Sequence, residues 1–200
     1  MAESIPFDQR LARVLVRPFR RTPLTPNQLT TLSLVAGLAA AGLFAAGEPS
    51  LTHWGAGAFM LAMFIDHTDG ELARMTGKTS RFGHHYDYIV GSINYTALFI
   101  GIGVGLQAQG DWALVLGFAA GLANPLIVTL RMTLERVRGA PAVAHPAAAG
   151  FEIEDFTYLI GPITWVGGLE YFFIVYGLGT IGYLLWTISC FRRPKIDTGG

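Results

Sequence analysis

Residues 66–91 read DHTDGELARMTGKTSRFGHHYDYIVG, and they set three aspartates, an arginine and spaced glycines into a chain that is otherwise apolar. Asp66 and Asp69 are three residues apart, so on a helix they share a face, and Ala73 continues that stripe. Asp87 begins a second stripe. The polar segment from Thr76 to Arg81 is long enough to turn one helix back against the next. Two antiparallel helices would then bring the three carboxylates to one point, and acidic groups at membrane depth are costly enough to mark a functional site.

The surrounding sequence is that of a chain embedded in lipid. Of its 200 residues, 52% are hydrophobic and 14% charged, too little charge for a soluble surface. The net charge is zero, so nothing in the bulk balance points to nucleic acid as a partner. The lone Cys190 lies in an apolar run and has no second cysteine to pair with. The first residues lack the continuous apolar core and small-residue cleavage site of a secretory signal.

Residues 1–22 read as a juxtamembrane segment. Phe7, Leu11, Val14 and Leu15 fall opposite Arg10, Arg13, Arg17 and Arg20 at helical spacing, which predicts a basic amphipathic helix lying on the membrane surface. Residues 23–200 then read as one transmembrane domain. Thr25 is placed to cap the first helix, with Pro26 at its first position. The fold class expected is all-α, with six transmembrane helices after the surface helix. The spans are Gln28 to Ala46, Leu51 to about Arg74, Gly83 to Leu106, Trp112 to about Leu134, about Phe156 to Gly167, and Leu169 to Phe191. The fifth is interrupted by Gly161, Pro162, Gly167 and Gly168, which shorten or bend it. With six spans, all 14 lysines and arginines fall on one side. The positive-inside rule then predicts an integral protein of a bacterial inner membrane, with both termini and the aspartate stretch facing the cytoplasm.

Acidic residues without thiolates suit a hard cation, Mg²⁺ or Mn²⁺, in preference to zinc. A divalent ion relieves the repulsion among buried carboxylates and adds a Lewis acid, and the usual substrate of such a site carries phosphate. Gly70 and Gly83 would let a bulky ligand approach the helix backbones closely. Arg74 would pair with a phosphate or hold a ligand carboxylate in place.

Asp66, Asp69, Gly70, Ala73, Arg74, Gly83 and Asp87 stand at the spacing D-x2-D-G-x2-A-R-x8-G-x3-D, and on these residues the chain resembles the CDP-alcohol phosphatidyltransferase family of membrane enzymes. The stretch Thr25-Pro26-Asn27-Gln28-Leu29-Thr30, leading into the first span, is also similar to that family. The resemblance implies that Asp66, Asp69 and Asp87 are metal ligands. It implies that Gly70, Ala73, Arg74 and Gly83 surround the cytidine diphosphate of the donor, with Asn27 and either Thr30 or Thr31 nearby. The implied reaction moves a phosphatidyl or other phospho-alcohol group from a CDP-linked donor, such as CDP-diacylglycerol, to the hydroxyl of an alcohol acceptor, with release of CMP. Membrane lipids are then partners, and a homodimer would use small-residue surfaces such as residues 37–41 or Gly101, Gly103 and Gly105.

The family pattern ends with a fourth aspartate four residues after the third, and Gly91 stands at that position. The resemblance assigns that aspartate a second metal contact and the deprotonation of the acceptor. His84, Asp87, Gly91 and Asn94 share a helical face, which makes His84 a candidate to replace the base. The alternatives are an acceptor or metal-bound hydroxide that needs no protein base, and a homologue that binds a CDP-lipid with little or no turnover.

Overall fold

The computed structural model describes residues 16–18, 22–138 and 153–192. The predicted amphipathic helix lies almost wholly outside them. Among the described residues the chain is all-helical, and six α-helices follow in order: α1 Pro26–Ala45, α2 Pro49–Thr76, α3 Arg81–Gly105, α4 Trp112–Arg138, α5 Ile160–Trp165 and α6 Leu169–Arg192. Short 3₁₀ turns at Gln107–Gln109 and Ile153–Leu159 precede α4 and α5.

The start of α1 follows from its sequence. Thr25 accepts a hydrogen bond from the Gln28 amide while the Gln28 side chain accepts one from the Thr25 amide, and Pro26 opens the helix. At the other turn that matters, α2 ends at Thr76 because Gly77 takes a left-handed φ of 66°. Ser80 then caps α3 by accepting from the Gly83 amide at 2.9 Å. The polar segment between the aspartate pair and Asp87 is thus a tight reversal.

Four helices, α1, α3, α4 and α6, are long and apolar enough to cross a membrane. With its 28 residues α2 has the length, but its second half carries Asp66, Asp69, Glu71 and Arg74, and composition sets it apart. The fifth predicted span differs most. Phe156 to Leu159 belong to the 3₁₀ turn, and α5 has only six residues. One contact and one proline explain this. Gly161 lies so close to Met60 of α2 that a Cβ would meet the sulfur at 2.1 Å, and Pro162 removes a backbone donor. The segment is pressed against α2 at the expense of regular helix.

In the bundle α2 and α3 pack on α1, α4 on α3, and α6 on α4. Small residues make these seams. A Cβ on Gly101 would meet the Ala41 carbonyl at 2.4 Å, one on Gly105 the Phe44 carbonyl at 2.0 Å, and one on Gly103 the Ala113 carbonyl at 2.7 Å. Gly37 faces Asn94, whose amide donates to the Ser33 carbonyl at 3.3 Å. Gly37, Ala40 and Ala41 of the first small-residue stripe, and Gly101, Gly103 and Gly105 of the second, thus pack within one chain, while Leu38 and Ala39 are exposed. Phe44, Phe59, Leu98, Phe99, Ile102 and Phe173 fill the space between the helices. Gly101→Val is expected to force α3 off α1. A fall of about 5 °C or more in the melting midpoint of the detergent-solubilised protein checks it, the cost of overpacking being about 1–3 kcal/mol.

At one end of the bundle, Arg138 of α4 donates to the carbonyls of Cys190 and Phe191, both at 2.8 Å. This satisfies the last turn of α6 and ties the two helix ends together. The same end carries Arg74, Lys78 and Arg81 of the α2–α3 reversal.

Candidate metal centre

Three elements build the site: the first half of α1, the second half of α2 and the first two turns of α3. One carboxylate oxygen from each of Asp66, Asp69 and Asp87 lies within 4.8 Å of the others, with Asp69 buried and its two partners half-buried. The convergence expected from the sequence is met. The oxygens are close enough to bind one hard divalent ion, and the donor set is all carboxylate. Among the described residues this is the group of acidic or metal-ligating side chains with such spacing, and no histidine joins it.

Hydroxyls on α1 orient two of the three carboxylates. Thr30 donates to Asp69 at 2.5 Å, and the Ser33 hydroxyl lies 3.2 Å from Asp66 and 3.0 Å from the Thr30 carbonyl, its one proton shared between them. Thr30 and Ser33 are themselves buried, at 2% and 0% exposure, so these are interior contacts in which hydrogen bonds between helices fix geometry. Of the two threonines considered, Thr30 touches the cluster. Thr31, one residue on, is exposed and instead pairs with the Tyr86 hydroxyl at 2.9 Å. Ser33 was not anticipated; its signal is the i, i+3 spacing from Thr30 within an otherwise apolar run.

The remaining motif residues fall into two pairs. The guanidinium of Arg74 lies over Gly70, 3.6 Å from where a Cβ would stand, and it donates to Glu71 at 2.9 Å. Glu71 is 1% exposed while the Arg74 side chain is 57% exposed, so a buried carboxylate accepts from one end of a guanidinium that otherwise reaches water. The Asn27 side-chain oxygen lies 3.1 Å from the Cβ direction of Gly83, so the absent side chain lets α1 and α3 close together there. Ala73, half-buried, follows on the α2 face of Asp66 and Asp69.

His84 is exposed and stands edge-on to Tyr88, with ring centroids 4.7 Å apart. A different histidine sits between the two α2 aspartates: the Nδ1 of His67 is 2.8 Å from the Tyr158 hydroxyl, which joins α2 to the 3₁₀ turn before α5. That contact spans 91 residues of sequence and has no local signature. At Gly91 a Cβ would meet nothing within 4 Å, so the position beside Asp87 is open on its outward side.

The fold and this centre define an integral membrane protein whose helices present a triad of carboxylates suited to a divalent cation. Residues 23–190 match the CDP-alcohol phosphatidyltransferase family, and the chain belongs to it. Over 89 residues it is 35% identical to an archaetidylinositol phosphate synthase of Pyrococcus horikoshii, a match covering 44% of this chain and 45% of that one. Over 108 residues it is 35% identical to a bifunctional IPC transferase and DIPP synthase of Rubrobacter xylanophilus, covering 54% of this chain and 23% of that one. These matches span less than half of either relative. The fold is similar to that of the Mycobacterium tuberculosis phosphatidylinositol phosphate synthase. A crystal structure of that protein with manganese and citrate gives a TM-score of 0.67 at 19% identity, over 97% of this chain and 94% of that one. A second crystal structure of it, with CDP-DAG bound, gives 0.60 at 20% identity, over 97% and 98%.

Proposed function

We propose that this protein transfers a phospho-alcohol group from a CDP-linked donor, CDP-diacylglycerol being the type case, to the hydroxyl of an alcohol acceptor with release of CMP, as a step in phospholipid synthesis. The observation that carries this reading is the meeting of Asp66, Asp69 and Asp87 within 4.8 Å at the end of a helical membrane bundle. The donor set fits Mg²⁺ or Mn²⁺, held by those three aspartates. When bound, such an ion supplies a Lewis acid that stabilises charge on the diphosphate as the bond to CMP breaks.

The chain's own residues supply the rest. Thr30 and Ser33 hold two carboxylates in the orientation that ligation needs. Gly70, under the Arg74 guanidinium, and Gly83, against which Asn27 packs, keep the helices small where the cytidine diphosphate would lie. Arg74, one guanidinium nitrogen of which is held by Glu71, presents its remaining donors to the phosphates from the watery side. Ala73 keeps that wall small. The basic residues gathered at this end support, by the positive-inside rule, a site and termini on the cytoplasmic face of a bacterial inner membrane. On this reading α2 and the segment containing α5 complete a six-span domain from residue 23 onward, preceded by the surface segment 1–22.

A second reading has one observation in its favour: Gly91 stands where the family pattern carries its last aspartate. A protein that binds a CDP-lipid with little turnover fits that. The two readings part in one assay. Purified protein with CDP-diacylglycerol, Mn²⁺ and a pool of alcohol acceptors is expected to release CMP and form a lipid product detected by mass spectrometry. Donor binding without CMP release would favour the binding protein. In the same assay, His84→Ala tests the substitute base: loss of turnover with an altered pH profile supports it, whereas retained turnover with an unchanged profile removes it.

A further inference from the structure

Pro125 lies in the middle of α4, and the helix runs through it without interruption. Proline has no amide hydrogen to give the carbonyl four residues back, and its ring pushes that carbonyl outward. The carbonyl is that of Gly121, and Thr96 of α3 donates to it at 2.8 Å. A hydroxyl on the neighbouring helix thus replaces the lost helical bond, one of the ways a membrane helix tolerates a proline. The proline also divides α4 by its neighbours. Away from the basic end, Ala113, Gly117 and Gly121 make a close seam with α3, where a Cβ on Gly117 would meet the Phe99 carbonyl at 2.7 Å and one on Gly121 the Thr96 carbonyl at 3.1 Å. From Asn124 towards the basic end, α4 instead lines a cavity of about 880 Å³, whose other walls include Tyr88 and Tyr95 of α3 and Gly179 and Gly182 of α6.

In α6 the corresponding level holds Gly179 and Gly182, at neither of which a Cβ would meet an atom within 4 Å. That level is set by contacts between the two helices. Leu116 packs against Gly177, Arg131 donates to the Tyr183 hydroxyl and lies over its ring, and Arg138 donates to the carbonyls of Cys190 and Phe191. Pro125 falls between the first and second of these contacts, and so do both glycines. Beyond that level, the arginine contacts bind α4 to α6, so the two helix ends form one body. A proline removes one rung of a helix and glycines lower its local preference for helix, so both helices bend most easily there.

We propose that the basic-end halves of α4 and α6 swing together as one arm, hinged at Pro125 and at Gly179 to Gly182, with the hydrogen bond from Thr96 to Gly121 pinning the hinge to α3. The cavity is what the swing changes. Its α3 wall is held by glycine contacts to α1, while the wall made by the arm moves. Val137 lies about 18 Å beyond Pro125 at 1.5 Å per residue, so a bend of about 20°, the onset of a sharp proline kink, carries it about 6 Å. Tyr88, the residue after Asp87, lines the cavity, so the swing alters the space beside the metal centre.

Full-length protein in nanodiscs, carrying Cys190→Ser to remove the native thiol, is spin-labelled in pairs at exposed positions and measured by double electron–electron resonance. Ile89 with Val137 reports α3 against the arm, Val104 with Val115 reports α3 against the other half of α4, and Val137 with Ile188 reports the arm itself. The first pair is expected to show two distances about 6 Å apart, and the other two pairs a single one each. Pro125→Ala restores the helical donor and is expected to reduce the longer-distance population about fivefold, whereas Thr96→Val is expected to raise it about fivefold relative to the shorter, the worth of one net hydrogen bond. Thr96→Ser keeps the hydroxyl and is expected to match the wild type, which separates the bond from repacking. A single distance between 89 and 137 in every variant would overturn the proposal. An equal shift between 104 and 115 would also overturn it, because α4 would then move as a rigid whole, and an equal spread between 137 and 188 would dissolve the arm. Thr96→Ser acting as strongly as Thr96→Val would remove the pinning bond.

Discussion

Asp69→Asn is expected to lower the rate of CMP release by at least about 10³-fold, because the charge stabilisation a bound cation provides is several kcal/mol and each 1.4 kcal/mol is tenfold in rate. Asp69 is the buried member of the triad, and it is the one held by Thr30. Asparagine keeps its shape and its hydrogen bond but removes the negative charge. The expected signature is a loss of Mn²⁺ affinity by electron paramagnetic resonance titration together with the loss of turnover, at an unchanged melting midpoint. Thr30→Val should act in the same direction and more weakly, about 10- to 100-fold, as a group that orients a ligand without touching the ion. Full activity in Asp69→Asn with Mn²⁺ binding intact would remove the carboxylate triad from the mechanism.

The second large effect runs the other way. Gly91→Asp is expected to raise turnover by about 10²-fold, the lower end of what a positioned general base contributes. The structure makes the substitution a fair test, because a Cβ at 91 meets nothing within 4 Å and replacing a mid-helix glycine removes a local cost. Asp87 and residue 91 are one turn apart on α3, so the new carboxylate would stand beside the acceptor's path. An unchanged rate with donor, Mn²⁺ and acceptor present would reject the missing base as the limiting feature. It would direct attention to the protons of the acceptor itself.

The parts legible in the sequence are those set by local rules. Apolar runs placed α1, α3, α4 and α6 to within a few residues, and Thr25, Pro26 and the polar segment after Thr76 marked where helices begin and reverse. The meeting of Asp66, Asp69 and Asp87 followed from helical period plus one tight turn. What the sequence hid depends on which helices touch. Thr30 and Ser33 look like polar residues merely tolerated in an apolar run until α2 is packed against α1. His67 and Tyr158 are far apart in the chain and meet only because the segment around α5 is pressed onto α2. That segment was read as a span because its composition is apolar, but close contact at Gly161 and the proline after it decided against a regular helix.

The hydroxyls on α1 also bear on how the protein is made. Two aspartates in the second half of α2 would each carry a cost, up to about 2.5–3.5 kcal/mol at the bilayer centre and less towards its end, if that helix partitioned into lipid on its own. But α1 is synthesised first, and it carries Thr30 and Ser33 at the depth where Asp69 and Asp66 arrive. The two helices thus suit insertion as a hairpin, with the polar face of the second shielded by the first from the moment both leave the ribosome. The contacts that orient the carboxylates in the finished protein are, on this account, the same ones that let α2 enter the bilayer.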